Sequence, residues 1–141
     1  MITKVKGPTC PLSNFYMHPI PFDGNTFPSA EHLYQFLKAS FHNRQDVARL
    51  ILAPDAFLAK KTAKLVHPSQ QWQDLRAVLM FHILQLKFLA CPAFRQDLQA
   101  ASGFIDHCVP DLFWGTGPPG TFGSNVFGLL LTTLKQSVRK L

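Results

Sequence analysis

Ser69-Gln70-Gln71-Trp72-Gln73-Asp74-Leu75-Arg76-Ala77-Val78-Leu79-Met80-Phe81-His82-Ile83-Leu84-Gln85-Leu86-Lys87-Phe88-Leu89-Ala90 is the stretch that decides the fold. Its apolar residues, Leu75, Val78, Leu79, Phe81, Ile83, Leu86 and Phe88, fall all round a helical cylinder. A helix with no continuous polar face belongs in the middle of a domain, so the chain is expected to build around residues 69–90.

On its N-terminal side, residues 44–53 and 55–65 read as two short helices parted at Pro54, and Ser29 stands where it can cap a helix over 30–39. Before Ser29, prolines at 8, 11, 19, 21 and 28, with Asp23-Gly24 between apolar patches, read as extended segments and turns. On its C-terminal side Pro92 can open a short helix that Gly103 ends, and residues 104–109 read as extended. A loop rich in Gly and Pro spans 115–120, and Asn125 is placed to cap a last helix reaching about Lys140. The expected fold class is mainly α (α+β): one compact helical domain over residues 1–141 with a few short β segments near the N-terminus.

Composition agrees with this reading. At 141 residues, 47% hydrophobic and 16% charged, the chain suits one globular domain. Thirteen Phe, two Trp and two Tyr supply too much apolar surface for a disordered chain. No run reaches the roughly 18 apolar residues of a membrane span, so no membrane partner is expected. Three cysteines without a CxxC spacing suggest reduced thiols and a cytoplasmic protein. The net charge of +6 draws phosphates, nucleic acid or anionic surfaces without choosing among them. The tightest basic cluster, Lys60, Lys61 and Lys64, reads as a solvated helix face.

Of the eight acids only Glu31 is a glutamate. On a helix from Ser29 it shares a stripe with Tyr34, Gln35 and Lys38, opposite Leu33, Phe36 and Leu37. That stripe is either a solvent-facing first turn, in which Glu31 favours the positive helix end, or a functional face. No capping box explains Glu31, because the matching position is His32. Trp72 and Arg76 lie four apart on the central helix, where a cation requires a carboxylate such as Asp74 or Asp97, or a ligand phosphate. Asp111-Leu112-Phe113-Trp114-Gly115 sets an acid and an indole before the glycine-rich loop; Trp114 is either core or a base-stacking group. Gly115-Thr116-Gly117-Pro118-Pro119-Gly120 formally matches GxGxxG, but it follows no clear strand and carries two prolines at the helix start, which argues against a dinucleotide fold. The histidines share no metal-ligand spacing and read as satisfied or solvent-facing groups.

Pro11-Leu12-Ser13-Asn14-Phe15-Tyr16, Phe27-Pro28-Ser29-Ala30-Glu31-His32-Leu33-Tyr34-Gln35 with Lys38, Ala59-Lys60, Trp72 with Arg76 and Met80, Lys87-Phe88, Asp111-Leu112-Phe113-Trp114-Gly115 and Gly123-Ser124-Asn125 together resemble the NADAR family, the YbiA-like N-glycosidases. The resemblance spans about residues 10–138. It implies hydrolysis of an N-glycosidic bond between a base and a phosphorylated ribose or ADP-ribose. The substrates it implies are riboflavin-pathway intermediates or ADP-ribosylated bases such as guanine, with ADP-ribosylated nucleic acid as a further partner, and it calls for no metal and no cofactor. Carried over by motif, the active-site acid falls on Glu31, with Asp111 as second acid and Trp72 and Trp114 as aromatic partners. Asn14, Tyr34, Lys38, Arg76 and Asn125 are the remaining substrate-binding candidates. Where many members have Glu five residues before the DxFWG aspartate, this chain has Asp106. The competing readings are a module that binds ADP-ribose or a nucleotide without cleaving it, and a general nucleic-acid binder.

Overall fold

A computed structural model describes residues 2–52 and 56–139. In chain order the elements are β1 Ile2–Val5, β2 Met17–Phe22, β3 Asn25–Ser29, α1 Ala30–Phe41, α2 Gln45–Leu50, α3 Ala56–Ala63, α4 Gln70–Ala90, α5 Pro92–Ala100, β4 Phe104–His107 and α6 Val126–Arg139. The mainly helical α+β class is as the sequence predicts. The expected helix break at Pro54 and the expected end of α6 at Lys140 lie outside the described residues.

Local chemistry accounts for most boundaries. β2 and β3 form an antiparallel hairpin whose turn places Asp23 at φ 50° and Gly24 at φ 78°, the left-handed pair that a two-residue hairpin turn needs. Ser29 is the N-cap of α1: its Oγ accepts from the backbone N–H of His32 at 3.2 Å and lies 2.7 Å from the His32 ring Nδ1. Histidine thus occupies the place that Glu or Gln takes in a capping box. Ser69 caps α4 in the same manner, through the N–H of Trp72 at 3.2 Å. His42, just past α1, joins the two helices. Its Nε2 accepts from Ser69 N at 2.9 Å, which leaves Nδ1–H to donate to Lys38 O at 2.7 Å.

α4 packs against α1, β2, α5 and α6. It buries Trp72, Met80, Ile83, Leu84 and Lys87, yet Leu75, Val78 and Leu89 stay 45%, 58% and 76% exposed. Its apolar circumference therefore does not mean full burial, because its neighbours cover only part of the cylinder. At Cys91 the chain turns by 108° into α5, with Pro92 in the first helical turn, where its missing N–H costs nothing. Among the described residues no single helix is long and apolar enough to cross a membrane.

The β content is not confined to the N-terminus. β4 pairs in parallel with β1, Ile2 opposite Phe104 and Val5 opposite His107, and α6 packs on it. The main core gathers β-hairpin, α1, α4, α5 and α6 side chains, Leu33, Ile83, Phe94 and Leu131 among them. A second cluster, Ala39, Val47, Ala48, Ile51, Ala59, Ala63 and Val66, joins α1 to α2 and α3. Its small side chains let α3 come close to α1, which brings Lys60 to the mouth of the cavity described next.

Candidate active site

Glu31 stands in the first turn of α1 with its backbone N–H donating to Asn14 O at 3.1 Å. This bond ties the 10–16 loop to the helix start. The side chain is 7% exposed, and its Oε1 accepts from Gln35 Nε2 at 2.7 Å, one helical turn on. Oε2 has no protein partner among the described residues. Burial pushes the carboxyl above its usual range, partly offset by the Gln35 hydrogen bond and by the charges of Lys60 and Lys38.

The solvent-facing reading of this stripe is therefore corrected. Glu31, Tyr34 and Gln35 are each only 7% exposed, and Lys38 is half-buried with Nζ 3.5 Å from Ala63 O. α1 is covered on two faces, its apolar side by core residues and its polar stripe by a cavity wall. Burial first, then the charge of Glu31, raises the Tyr34 phenol far above its ordinary value, so it remains an O–H group at any physiological pH.

The opposite wall comes from α4 and the 111–114 turn. Arg76 has no carboxylate within ion-pair distance among the described residues, and Asp74 instead accepts from Gln70 at 2.8 Å. The Arg76 guanidinium carbon lies over the Phe113 ring, 3.5 Å from its centroid and 5.8 Å from that of Trp114, with Nε buried and without a hydrogen-bond partner among the described residues. Asp111 is exposed; its Oδ1 accepts from the N–H groups of Phe113 at 2.8 Å and Trp114 at 2.7 Å. This is an Asx-type turn that leaves Oδ2 without a hydrogen-bond partner among the described residues. Trp114 is half-buried and meets Tyr34 in a T-shaped contact, centroids 5.7 Å apart. Trp72 is only 2% exposed, packed on Tyr34, Phe41 and His42. An indole so enclosed shapes the cavity floor and has no free face on which a base could lie.

These walls enclose a cavity of about 200 Å³. The structure brings Glu31, Asp111, Asn14, Tyr34, Lys38, Trp72, Arg76 and Trp114 together around it. Asn125 is not in its lining. At φ 51° it precedes α6, and its side chain accepts from His107 N at 2.9 Å and donates to Ile105 O at 2.9 Å. Its amide is spent on holding β4, so its side chain does not cap α6 and does not line the cavity.

Gln35, Lys60, Phe15 and His107 line the cavity without having been chosen from the sequence as site residues. Gln35 could have been, since it shares the Glu31 stripe. Lys60, read as part of a solvated face, sits with Nζ 5.6 Å from the Phe15 centroid, and Phe15 in turn stacks on Phe57 at 4.4 Å. His107 is pushed below its usual pKa chiefly by burial, and its Nδ1 lies 3.2 Å from Trp114 O. Among the described residues no group of three His, Cys, Asp or Glu side chains is arranged to hold a metal ion.

The arrangement is thus one desolvated carboxylate with an unengaged oxygen, a phenol, three cations at the periphery and a flat aromatic wall. Such a pocket suits a charged, partly aromatic small molecule whose reacting centre needs a carboxylate beside it.

Comparison with known proteins places these residues in context. The sequence pattern of the NADAR domain matches residues 2–139. N-glycosidase YbiA of Shigella flexneri is 29% identical over 131 residues, covering 90% of this chain and 80% of that protein. Its Escherichia coli counterpart, also named N-glycosidase YbiA, is 28% identical with the same coverage. A riboflavin biosynthesis protein of Vibrio vulnificus is 30% identical over 133 residues, which is 92% of this chain but 35% of that longer protein. The NMR structure of the E. coli protein YbiA superposes with a TM-score of 0.79 at 24% identity, covering 99% of this chain and 85% of that one, which is a likeness of fold.

Proposed function

The chain belongs to the NADAR domain family, and we propose that it is a hydrolase of N-glycosyl bonds whose substrate joins a base to a phosphorylated ribose or an ADP-ribose. The observation that carries this reading is the Glu31 carboxylate: buried in the cavity wall, held at one oxygen by Gln35 and unengaged at the other. Relatives named N-glycosidase over 80% of their length support the reaction class, and the relative named for riboflavin biosynthesis supports a nucleotide-type small molecule.

Breaking a C–N glycosidic bond leaves an electron-poor, oxocarbenium-like sugar. A carboxylate beside the anomeric carbon stabilises that charge, and in a dry pocket it does so more strongly than in water. Glu31 fills this role. Its unengaged oxygen takes a proton from water as the water oxygen bonds to the anomeric carbon, while the departing base keeps the electron pair of the C–N bond and takes a proton from solvent water, to which Glu31 then returns its own. Asp111, through Oδ2, is the second acid, placed to contact sugar hydroxyls or assist the leaving base. Trp114 and Tyr34 provide aromatic contacts for the base. Arg76, Lys38 and Lys60 meet the phosphate charge, with Arg76 held rigid by the ring beneath it.

The test is product analysis. Incubation with riboflavin-pathway ribosyl phosphates, NAD, ADP-ribose and ADP-ribosylated guanine, followed by chromatography, should show free base from at least one of them. Glu31→Gln, nearly isosteric, should lose that activity while keeping the fold by circular dichroism. Tight, unreacted ligand across the whole panel would make the protein a reader of nucleotides instead of an enzyme.

A further inference from the structure

Two buried side-chain oxygens of cavity-lining residues, Asn14 Oδ1 and Gln35 Oε1, have no hydrogen-bond partner among the described residues. Both residues are only 7% exposed. Unpaired buried acceptors are rare in native proteins and call for a partner from outside the chain, an ordered water or a ligand group. We propose that this pair, with the free oxygen of Glu31, receives the vicinal hydroxyls of the substrate's ribose, making the enzyme selective for ribosyl over deoxyribosyl compounds. The inference rests on the N-glycosidase reading above and adds to it the residues that select the hydroxylated sugar.

Each amide has a defined orientation. Gln35 presents Nε2 to the Glu31 carboxylate at 2.7 Å; the reverse setting would face oxygen against oxygen, so Oε1 is left as an acceptor. Asn14 points Nδ2 at the weakly accepting sulfur of Met80, 3.2 Å away, while its backbone carbonyl holds the N–H of Glu31 at 3.1 Å. Asn14 and Gln35 are therefore both tied to Glu31, one through the main chain and one through the side chain. The terminal torsion of Asn14 is soft, and turning it toward an incoming donor gives up only the weak contact with the Met80 sulfur, whereas Gln35 keeps its bond to Glu31.

The chemistry narrows what that donor is. The ionised Glu31 oxygen and the two amide oxygens can each only accept, while donors of this cavity such as Lys38 and Lys60 are separate groups in its lining. A phosphate oxygen offers no proton there and would be repelled by the carboxylate. If Glu31 stands by the anomeric carbon, the donors nearest to it belong to the adjoining sugar carbons, and ribose carries two neighbouring O–H groups there. A site built to accept a hydroxyl leaves its own buried groups unpaired when an analogue lacks it, and so rejects that analogue.

The experiment uses the full chain and two readouts. For turnover, one base carried on ribose 5-phosphate, 2-deoxyribose 5-phosphate and 3-deoxyribose 5-phosphate is compared by kcat/KM in wild type, Asn14→Leu and Gln35→Leu. Wild type should favour the ribosyl compound at least about tenfold, and the preference should shrink toward unity in the variants. Comparing ratios across proteins cancels the intrinsic difference in bond lability among the sugars. For binding, calorimetry with ribose 5-phosphate and 2-deoxyribose 5-phosphate reads the same contacts without cleavage. Equal affinity of wild type for the two sugars, or a ribosyl preference unchanged in both variants, overturns the proposal. Preferential binding of ribose 5-phosphate with no turnover of any substrate would uphold the sugar site and overturn the N-glycosidase reading alone.

Discussion

The guanidinium of Arg76 lies 3.5 Å from the centre of the Phe113 ring, with no carboxylate within ion-pair distance among the described residues. A cation held on a ring face keeps its charge available to a ligand, whereas a cation neutralised by an acid does not. The contact also pins the 111–114 turn, and with it Asp111 and Trp114, against α4.

Arg76→Lys should therefore be far from conservative. Lysine keeps the charge but has neither the flat surface for Phe113 nor a fork of donors. We expect KM for a phosphorylated substrate to rise about tenfold, roughly 1.4 kcal/mol of binding, with a smaller change in kcat. Steady-state kinetics would check this, and an unaltered KM in Arg76→Lys would remove Arg76 from the binding site.

The pH dependence of hydrolysis should follow Glu31. Its carboxyl is raised mainly by burial and pulled back by Gln35, Lys60 and Lys38. As an ionised group it is required above its folded pKa and lost as pH falls through it. The acid limb of kcat/KM should thus lie above the ordinary glutamate value of about 4.3. Lys60→Met, which removes a lowering charge, should move that limb to still higher pH. A limb that stays in place in Lys60→Met would show that Lys60 does not act on Glu31.

Much of this arrangement is legible in the sequence, for identifiable reasons. Ser29 announces its helix because a hydroxyl before an apolar period has one obvious use, and it does cap, whereas Ser69, read as the first residue of its helix, proves to be the cap. The Glu31-Tyr34-Gln35-Lys38 stripe is visible as a helical face, but spacing alone does not say whether water or a cavity covers it. That depends on where α4 and the 111–114 turn come to lie. Leu75, Val78 and Leu89 mislead for the same reason: an apolar residue reports a preference, while burial requires a neighbour. Asn125 looks like a helix cap, and only the return of β4 beside β1 shows what its amide holds. Lys60 is hidden among surface lysines until the small residues of α3 bring it close to α1.

The role assigned to Asn125 separates stability from binding. Its side chain accepts from His107 N and donates to Ile105 O, both at 2.9 Å, and a Cβ at Gly128 would run into the Ile105 carbonyl and the Asn125 amide. Asn125→Ala should destabilise by about 1–3 kcal/mol through orphaned backbone groups, and Gly128→Ala by about the same through overpacking. KM of the folded Asn125→Ala protein should change by less than about twofold. Denaturant midpoints and steady-state kinetics together decide this; a large KM effect with unchanged stability would return Asn125 to the binding site.

Lys87 supplies the sharpest test of the fold's electrostatics. It is fully buried on α4, its Nζ donates to Ser13 O at 2.7 Å and lies 4.6 Å from the Phe94 ring, and no acid pairs with it among the described residues. Burial pushes its pKa down to about 7, opposed by Cys91 and Cys10. In the unfolded chain the value returns to about 10.4. Between these limits the unfolded state binds more protons, so stability rises as pH increases from about 7 toward 10, and below about 7 the group contributes no slope. Wild type should gain on the order of 2–3 kcal/mol between pH 7 and pH 9.5 from this source. Lys87→Met, similar in volume and uncharged, should lose that gain. Ser13 O still accepts from Tyr16 N at 3.2 Å in its absence, so the loop carrying Asn14 keeps one anchor. Urea unfolding of both proteins at the two pH values isolates the lysine, and the same slope in wild type and Lys87→Met would mean that the buried ammonium keeps its charge at little cost.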